Sequence, residues 1–131
     1  MARRVRVGVV GCGIVATRDI LPNLVRPEIA QKVDLVAVCD VVADRARETA
    51  QAFGAPEFYA DHGVMLARSD IEAALVATPI PYHFPVALAA ARAGKHVYVQ
   101  KTMTTTLQEA NVLLDAVRAA GVHLTASPGE M

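Results

Sequence analysis

The sequence of 131 residues predicts an α/β fold, a doubly wound parallel sheet of about six strands in a single domain over residues 1–131. Strand-like and helix-like segments alternate along the whole chain, as they do in consecutive βαβ units. The strand-like segments are nearly continuous apolar runs, which is typical of a parallel sheet that is covered on both faces. Small residues after the first run have the spacing of a strand-to-helix turn.

Each predicted strand is a short apolar run, and most of the runs are rich in β-branched residues and bounded by polar residues, glycine or proline. The six predicted strands are Val5–Val10, Val33–Cys39, Glu57–Tyr59, Ala73–Ala77, His96–Gln100 and Val122–Ala126.

The segments between the strands carry the start and stop signals of helices. The first helix is predicted at about Ile14–Leu24, and Pro22 should kink or shorten it. The second is predicted at about Ala43–Phe53 and stops at Gly54, because glycine readily adopts the left-handed cap conformation. A short third helix follows Asp61, whose carboxylate suits an N-cap.

Two further helices complete the alternation. The fourth carries the apolar run Val86–Ala91 and ends at Gly94. The fifth begins at Thr106 and Glu109, which have the spacing of a capping box, and it ends at Gly121.

Composition excludes several functional classes. The formal net charge is zero and aromatic residues make up 5%, so we expect no nucleic-acid partner. The apolar runs are short and interrupted by charges, so we expect no membrane span and no membrane partner. The apolar run after Met1-Ala2-Arg3-Arg4 is too short for a secretory signal, which favours a cytoplasmic protein. Cys12 and Cys39 are predicted to be reduced thiols, with a redox role for Cys12 as the alternative.

The turn after the first strand has the G-x-G-x-x-G/A spacing of a dinucleotide-binding loop. Gly11 permits the tight turn, Gly13 lets the backbone approach a pyrophosphate, and Ala16 lets the helix pack close to the strand. The alternative is an ordinary tight turn with no ligand. The candidate cofactor-binding residues of the loop are Gly11, Cys12, Gly13, Ile14, Val15 and Ala16.

Asp40 ends the second strand, where a carboxylate can accept hydrogen bonds from the adenosine ribose hydroxyls. A carboxylate also repels a 2′-phosphate, which biases the site toward NAD over NADP. Arg45 and Arg47 weaken this bias, because a flexible arginine can reach a phosphate, so NADP stays possible. The alternative is that Asp40 only caps the next turn.

Two further candidates follow later strands at the same carboxyl edge of the sheet. Thr78, Pro79 and His83 lie in a stiff, proline-containing segment after the fourth strand. His83 is expected either to orient a ligand or move a proton, or to cap and pack on the following helix. Lys101 follows the fifth strand and is either a group that assists proton transfer at a substrate hydroxyl or a solvated charge.

Together these residues resemble the N-terminal domain of the glucose–fructose oxidoreductase, inositol dehydrogenase and MocA-type (Gfo/Idh/MocA) oxidoreductases. The resemblance covers nearly the whole chain, and its most family-specific segment runs from Ala93 through Lys101. The other matching segments are Gly11-Cys12-Gly13, Val36-Ala37-Val38-Cys39-Asp40, Tyr59-Ala60-Asp61, Ala77-Thr78-Pro79 with His83, and Thr106-Leu107-Gln108-Glu109-Ala110.

The resemblance implies an NAD(P)-dependent dehydrogenase that acts on a sugar, polyol or cyclitol. It implies that the glycine loop holds the pyrophosphate, that Thr78, Pro79 and His83 line the cofactor cleft, and that Lys101 lies next to the nicotinamide. It also implies a C-terminal α/β substrate domain, which we expect to be absent from these 131 residues. The chain departs from the family's Glu-Lys-Pro motif, since it reads Gln100-Lys101-Thr102, and Ile80 stands where a polar residue is usual.

Three functional hypotheses remain open at this point. The chain is the cofactor domain of an oxidoreductase, weakly active or inactive by itself; or it is a non-catalytic nucleotide-binding module; or it binds another ligand with ribose hydroxyls, such as an S-adenosyl group or a nucleotide sugar. An uncovered apolar cleft edge would favour a homo-oligomer or a partner chain.

Overall fold

The computed structural model describes residues 4–68, 70–100 and 103–126, and in these ranges it confirms the predicted α/β fold. Six parallel strands form one sheet in the order β3-β2-β1-β4-β5-β6. This is the doubly wound order: β2 and β3 are added on one side of β1, and β4, β5 and β6 on the other, so the strand order reverses between β1 and β4. The strands are β1 Val5–Val10, β2 Val33–Cys39, β3 Glu57–Tyr59, β4 Ala73–Val76, β5 His96–Val99 and β6 Leu124–Ala126.

Helices cover both faces of this sheet. The two buried clusters of the core separate accordingly: Ala16, Leu21 and Ala50 pack on one face, and Met65, Val86 and Leu113 lie in the cluster on the other. The helices are a π-helical turn Ala16–Ile20 that continues into α1 Leu21–Leu24, then α2 Pro27–Ala30, α3 Ala43–Phe53, α4 His62–Leu66, a 3-10 turn Ile80–Tyr82, α5 His83–Arg92 and α6 Leu107–Ala120.

Several helix ends follow the predicted capping chemistry. Gly54 and Gly121 take positive φ angles of 78° and 68° at the C-caps of α3 and α6. The Asp61 carboxylate accepts a hydrogen bond from the Gly63 N–H at 2.7 Å, and the Thr106 hydroxyl accepts one from the Glu109 N–H at 3.0 Å. These caps fix where the helices begin and end relative to the sheet.

Residues 14–24 are helical throughout, as predicted, and the predicted disturbance by Pro22 is a π-helical turn just before it. Pro22 has no N–H and its ring crowds the carbonyl four residues earlier, so the turn before it widens. The Leu21 N–H donates to the Ala16 carbonyl, five residues back, which is the π-helical spacing. The sequence analysis also did not predict the short helix α2.

Three strand boundaries were predicted one or two residues too long. β4 ends at Val76 and β5 at Val99, because Ala77 and Gln100 already belong to the loops at the carboxyl edge. β6 begins at Leu124, because the Val122 N–H donates to the Val117 carbonyl and so still belongs to the end of α6.

The strand register places a row of carboxyl ends at one edge of the sheet. Val10 at the end of β1 lies opposite both Cys39 at the end of β2 and Val76 at the end of β4. The loops that follow these three strands therefore leave the sheet at the same level, and the functional candidates meet there. Within the described ranges, no helix is long and apolar enough to cross a membrane.

Candidate functional site

A pocket of about 380 Å³ opens at the carboxyl edge of the sheet. It lies at the end of β1, which has β2 on one side and β4 on the other. Four of the predicted site residues line it: Gly11, Asp40, Thr78 and Pro79. Its walls are mostly apolar, with the polar groups of a few side chains around them, which is the usual composition of a small-molecule site. The topology explains the location, since ligands of open α/β sheets bind where the strand order reverses.

Gly11 makes the turn after β1 and is required by the fold itself. Its φ angle is 103°, and a Cβ built on it would lie 2.7 Å from the Ala77 carbonyl carbon and oxygen and 2.8 Å from the Thr78 nitrogen. The Gly11 N–H donates to the Cys39 carbonyl at 2.7 Å. The first glycine therefore lies between the ends of β2 and β4, where no side chain fits.

Gly13 is different, because nothing in the fold requires a glycine there. Its φ angle is not positive, and a Cβ built on it would meet no heavy atom within 4 Å. The protein thus leaves the space above this backbone open, directly before the helix. Gly13 does not line the pocket itself, but open space of this kind lets a ligand approach the backbone more closely than a side chain would allow.

The other side chains of the loop divide into two buried ones and two exposed ones. Ala16 is fully buried in the core, which allows the helix to pack closely on the sheet. Ile14 and Val15 are 72% and 41% exposed at the carboxyl edge. Cys12 is buried, and its thiol donates a weak hydrogen bond of 3.5 Å to the Cys39 carbonyl.

Both cysteines are free and buried. Burial raises the pKa of the Cys12 thiol to about 11 and that of the Cys39 thiol to about 12. Since the thiolate is the reactive form, both side chains behave as small apolar groups near neutral pH. These environments favour the interpretation as reduced structural thiols over a redox role for Cys12.

Asp40 is buried and joins the second strand to the glycine loop. Its Oδ2 accepts a hydrogen bond from the Cys12 N–H at 2.9 Å. Its Oδ1 accepts hydrogen bonds from the Val42 N–H at 2.9 Å and from the Arg45 Nη2 at 2.8 Å. Burial by itself would raise the pKa of this carboxyl, but the three donors outweigh it and hold the pKa below its usual value.

The two arginines near Asp40 lie differently. Arg45 lines the pocket and forms its ion pair with Asp40 there. Arg47 does not line the pocket; its Nη2 lies 3.2 Å from the exposed carboxylate of Asp44. Residues two apart on a helix point in different directions, so only one of the pair can face the same site.

The segment after β4 forms the opposite rim of the pocket. The hydroxyl of Thr78, Oγ1, is buried and has no hydrogen-bond partner among the described residues. Such a group is costly unless a ligand or a water satisfies it. Pro79 precedes a 3-10 turn that presents Tyr82, which is 60% exposed, to the pocket.

His83 does not line the pocket. It is 2% exposed as the first residue of α5, and its Nε2–H donates to the Thr78 carbonyl at 2.7 Å. This contact holds the backbone of the rim in place, so the environment of His83 favours the predicted alternative of a histidine that packs on the following helix. The other predicted residue, Lys101, and its neighbour Thr102 lie outside the described residues.

Several residues that line the pocket were not predicted as site residues, among them Val41, Ala60 and His62. Val41, which follows the carboxylate of β2, is 86% exposed and lines the pocket together with Ala60 and His62. Val41 had a usable signal, since it comes directly after a strand-end acid. His62 had no such signal in the sequence, because only the pairing of β3 with β2 brings the segment after β3 to the site.

Comparisons with known proteins agree with this geometry. The family model described as "Oxidoreductase family, NAD-binding Rossmann fold" (GFO_IDH_MocA) matches residues 5–127. The dTDP-3,4-didehydro-2,6-dideoxy-alpha-D-glucose 3-reductase of Streptomyces violaceoruber is 34% identical over 93% of this chain and 34% of its own length. Inositol 2-dehydrogenase 3 of Saccharopolyspora erythraea is 34% identical over 92% of this chain and 34% of its own.

Solved structures show the same likeness. The 3-ketoreductase KijD10 of Actinomadura kijaniata, in complex with TDP-benzene and NADP, superposes with a TM-score of 0.87 at 32% identity, over 95% of this chain and 38% of that one. The WlbA dehydrogenase of Bordetella pertussis, in complex with NADH and UDP-GlcNAcA, gives 0.85 at 30% identity, over 95% and 37%. The chain thus spans about a third of the length of these relatives. It belongs to the Gfo/Idh/MocA oxidoreductase family, of which it carries the NAD-binding Rossmann fold.

Proposed function

We propose that this chain binds NAD or NADP at the carboxyl-edge pocket and serves a sugar-, polyol- or cyclitol-type oxidoreductase. The observation that carries the proposal is the open space above Gly13, where the fold has no use for a glycine and a pyrophosphate does. The buried, unpartnered hydroxyl of Thr78 on the opposite rim is a second group that a bound cofactor would satisfy.

The residues present fit such a cofactor. The backbone at Gly13, Ile14 and Val15 faces the pyrophosphate, since the N–H groups of a helical first turn lack intrahelical partners. In this proposal the Asp40 carboxylate, which lines the pocket, accepts from the adenosine ribose, and the apolar walls suit the adenine ring. When bound, the nicotinamide supplies the hydride chemistry, and the protein supplies orientation and electrostatics.

Lys101 is the proposed catalytic residue, at the hydroxyl of the substrate carbon. This role rests on the match to the family motif and on its place after β5, with Gln100 in the position of the motif's carboxylate. Replacing a carboxylate by an amide removes a negative charge, which allows the pKa of a neighbouring lysine to fall and helps it to exchange a proton. Lys101→Ala should abolish turnover in the complete enzyme while it leaves the dissociation constant for NAD unchanged within about threefold. Equal turnover in Lys101→Ala and wild type would refute the catalytic role of Lys101, whereas cofactor binding without any turnover in the wild type would favour a non-catalytic binding module.

Curated relatives that share this domain carry reductase, dehydrogenase and glycosyl hydrolase names. Membership of this domain alone therefore does not determine the substrate or the net reaction. We expect these 131 residues to bind cofactor but to turn over at least about 10³-fold more slowly than a two-domain relative, because groups that position the substrate are missing. A normal dehydrogenase rate from the purified chain would contradict this division of labour.

Exposed apolar side chains at the carboxyl edge support the proposal that cofactor binding and substrate binding belong to different domains or chains. Ile14 is 72% exposed and Leu107, at the start of α6, is 78% exposed. Exposed apolar side chains favour association, so we expect a substrate domain or a second chain to cover this edge. Sedimentation of a clean monomer at high concentration would argue against self-association.

The test of the cofactor proposal is direct titration of the chain with NADH and NADPH. The chain contains no tryptophan, so the fluorescence of the reduced nicotinamide can be followed without competing protein emission at long wavelength. Binding that Gly13→Ala abolishes would support the proposal. Binding of neither reduced cofactor to the wild-type chain would refute it.

A further inference from the structure

We propose that His96 and His123 form a proton-operated latch for the edge strand β6. The latch is closed while the His96 ring is neutral, and it opens when this ring takes up a proton. The two histidines lie at the amino edge of the sheet, where β5 and β6 begin. This latch is separate from the carboxyl-edge pocket, so it does not rest on the proposed function.

A hydrogen bond from backbone to ring joins the two residues. The His123 N–H donates to Nδ1 of His96 at 3.0 Å. A ring nitrogen accepts a hydrogen bond only while it carries no proton, so neutral His96 holds its proton on Nε2 in this contact. A charged imidazole carries protons on both nitrogens and is a donor only. Proton uptake by His96 therefore removes this bond and sets two N–H groups against each other.

The stacking of the two rings acts in the same direction. Their centroids lie 5.2 Å apart and their planes meet at 26°. When both rings carry a proton, two like charges lie at this separation and repel each other. His96 is half-buried and His123 is exposed, so protons reach the pair from water without any opening of the core. Acid thus weakens the contact in two ways, and the two causes predict different effects of removing the His123 ring.

β6 is short enough for one contact to matter. It has three residues, and in the described sheet it pairs with β5 alone. His123 fixes its start twice, because its N–H donates to His96 and its carbonyl accepts from the Val97 N–H at 2.9 Å. The last two residues of β6, Thr125 and Ala126, are exposed. An edge segment with so few buried contacts opens at a low free energy, so the loss of one hydrogen bond shifts its opening measurably.

The charged side chains around the pair have partners of their own. Lys95, directly before His96, is buried and donates to the Arg68 carbonyl. The other charged groups that flank the pair form ion pairs: Arg6 with Glu72 at 3.4 Å and Arg118 with Asp115 at 3.8 Å. Carboxylates, lysines and arginines ordinarily keep their charge between about pH 5 and pH 8, whereas histidine changes its own. A change of β6 in this range therefore points to the two histidines.

The experiment is amide hydrogen exchange of residues 123–126 at about pH 8 and about pH 5, corrected for the intrinsic exchange rates. In the wild type, acidification should lower the protection of these amides roughly 3- to 10-fold, as expected for the loss of one hydrogen bond. His96→Asn supplies an amide oxygen that accepts at either pH, so protection should stay high at both. His123→Asn keeps the backbone donor and removes the second ring, so the fall should persist. His96→Phe stacks but accepts nothing, and it should be weakly protected at both pH values.

NMR of the His96 ring protons in the same pH series gives an independent readout, because protection should be lost at the pH at which this ring titrates. Equal wild-type protection at the two pH values would overturn the latch, and so would a fall that persists in His96→Asn. A fall that His123→Asn abolishes would assign the effect to repulsion between the rings and overturn the role of the hydrogen bond. Amides of the central strand β1 must stay protected throughout, and thermal melting checks that each variant is folded.

Discussion

The two glycines of the loop give the sharpest test, because the structure assigns them opposite roles. Gly13→Ala adds a methyl group that meets no protein atom within 4 Å, at a backbone conformation that alanine adopts freely. Replacing glycine at such a position stabilises a fold by about 0.4–1 kcal/mol, because the unfolded chain loses freedom. For a domain of this size the melting temperature should rise by about 1–4 °C.

Cofactor binding should respond in the other direction. The added methyl occupies the space through which a pyrophosphate reaches the backbone N–H groups. Losing two charge-assisted hydrogen bonds costs about 3 kcal/mol or more, which is at least about 100-fold in the dissociation constant. Gly13→Ala should therefore be a folded, slightly more stable protein that no longer binds NAD or NADP.

Gly11→Ala should destabilise the fold itself, whether or not a cofactor is bound. Its Cβ would lie 2.7 Å from the backbone of Ala77, and its φ angle of 103° is strained for any residue with a Cβ. Overpacking costs about 1–3 kcal/mol and the strained backbone about 1–3 kcal/mol more. Together these are a large part of the stability of a domain of this size.

Circular dichroism melts and titration with reduced cofactor separate the two effects. Gly54→Ala is the control, because Gly54 also has a positive φ angle and an open surrounding but caps α3 at its C-terminus. It should lower stability and leave binding intact. If Gly13→Ala lowered the melting temperature as Gly11→Ala does, or bound cofactor like the wild type, the open space would not be a ligand site.

Three further predictions test single interactions. Asp40→Asn should lose about 1–3 kcal/mol of stability at neutral pH, because an amide cannot accept from all three donors. The pKa of Asp40 is lower in the folded protein than in the unfolded chain. The ionised carboxylate therefore stabilises the fold fully at pH values above the unfolded pKa, and this stabilisation is lost as the pH falls through the folded pKa. The urea midpoints of wild type and variant should accordingly converge below about pH 4. Iodoacetamide at about pH 8 should label neither Cys12 nor Cys39 until urea unfolds the chain, and labelling of the folded chain at the rate of a free thiol would contradict their raised pKa values. Thr106→Ala should cost about 1 kcal/mol through loss of the cap of α6, and Thr106→Ser should restore it.

Much of the fold was predictable because its signals are local. The first three strands have the predicted bounds: β1 and β2 are mainly apolar runs, and β3 is a short segment with two aromatic residues that follows Pro56. The errors occur where a tertiary contact, and not the local sequence, determines where a strand begins or ends. The His123 N–H, for example, donates to the Nδ1 of His96 on the neighbouring strand, and this side-chain bond replaces a ladder position of β6.

The candidate site was predictable in position but not in its hydrogen bonding. Parallel strands bring their carboxyl ends together, which sufficed to predict that Gly11, Asp40 and Thr78 meet. That the Asp40 carboxylate also holds the Cys12 N–H depends on the path of the loop in three dimensions. Lys95 illustrates the same limit: it lies in the most family-specific segment, yet it is buried and donates to the Arg68 carbonyl.

The site and the fold share most of their groups, and this limits how the site can vary. Gly11 makes the turn after β1 between the ends of β2 and β4, and Asp40 anchors the loop while it faces the pocket, so we expect a change at either position to alter stability and cofactor binding together. Gly13 and Arg45 are the exceptions, since one borders open space and the other is half exposed on its helix. Under the proposed function, we expect changes in cofactor affinity to arise at these two positions at little cost to the fold, whereas changes at Gly11 or Asp40 require compensation elsewhere.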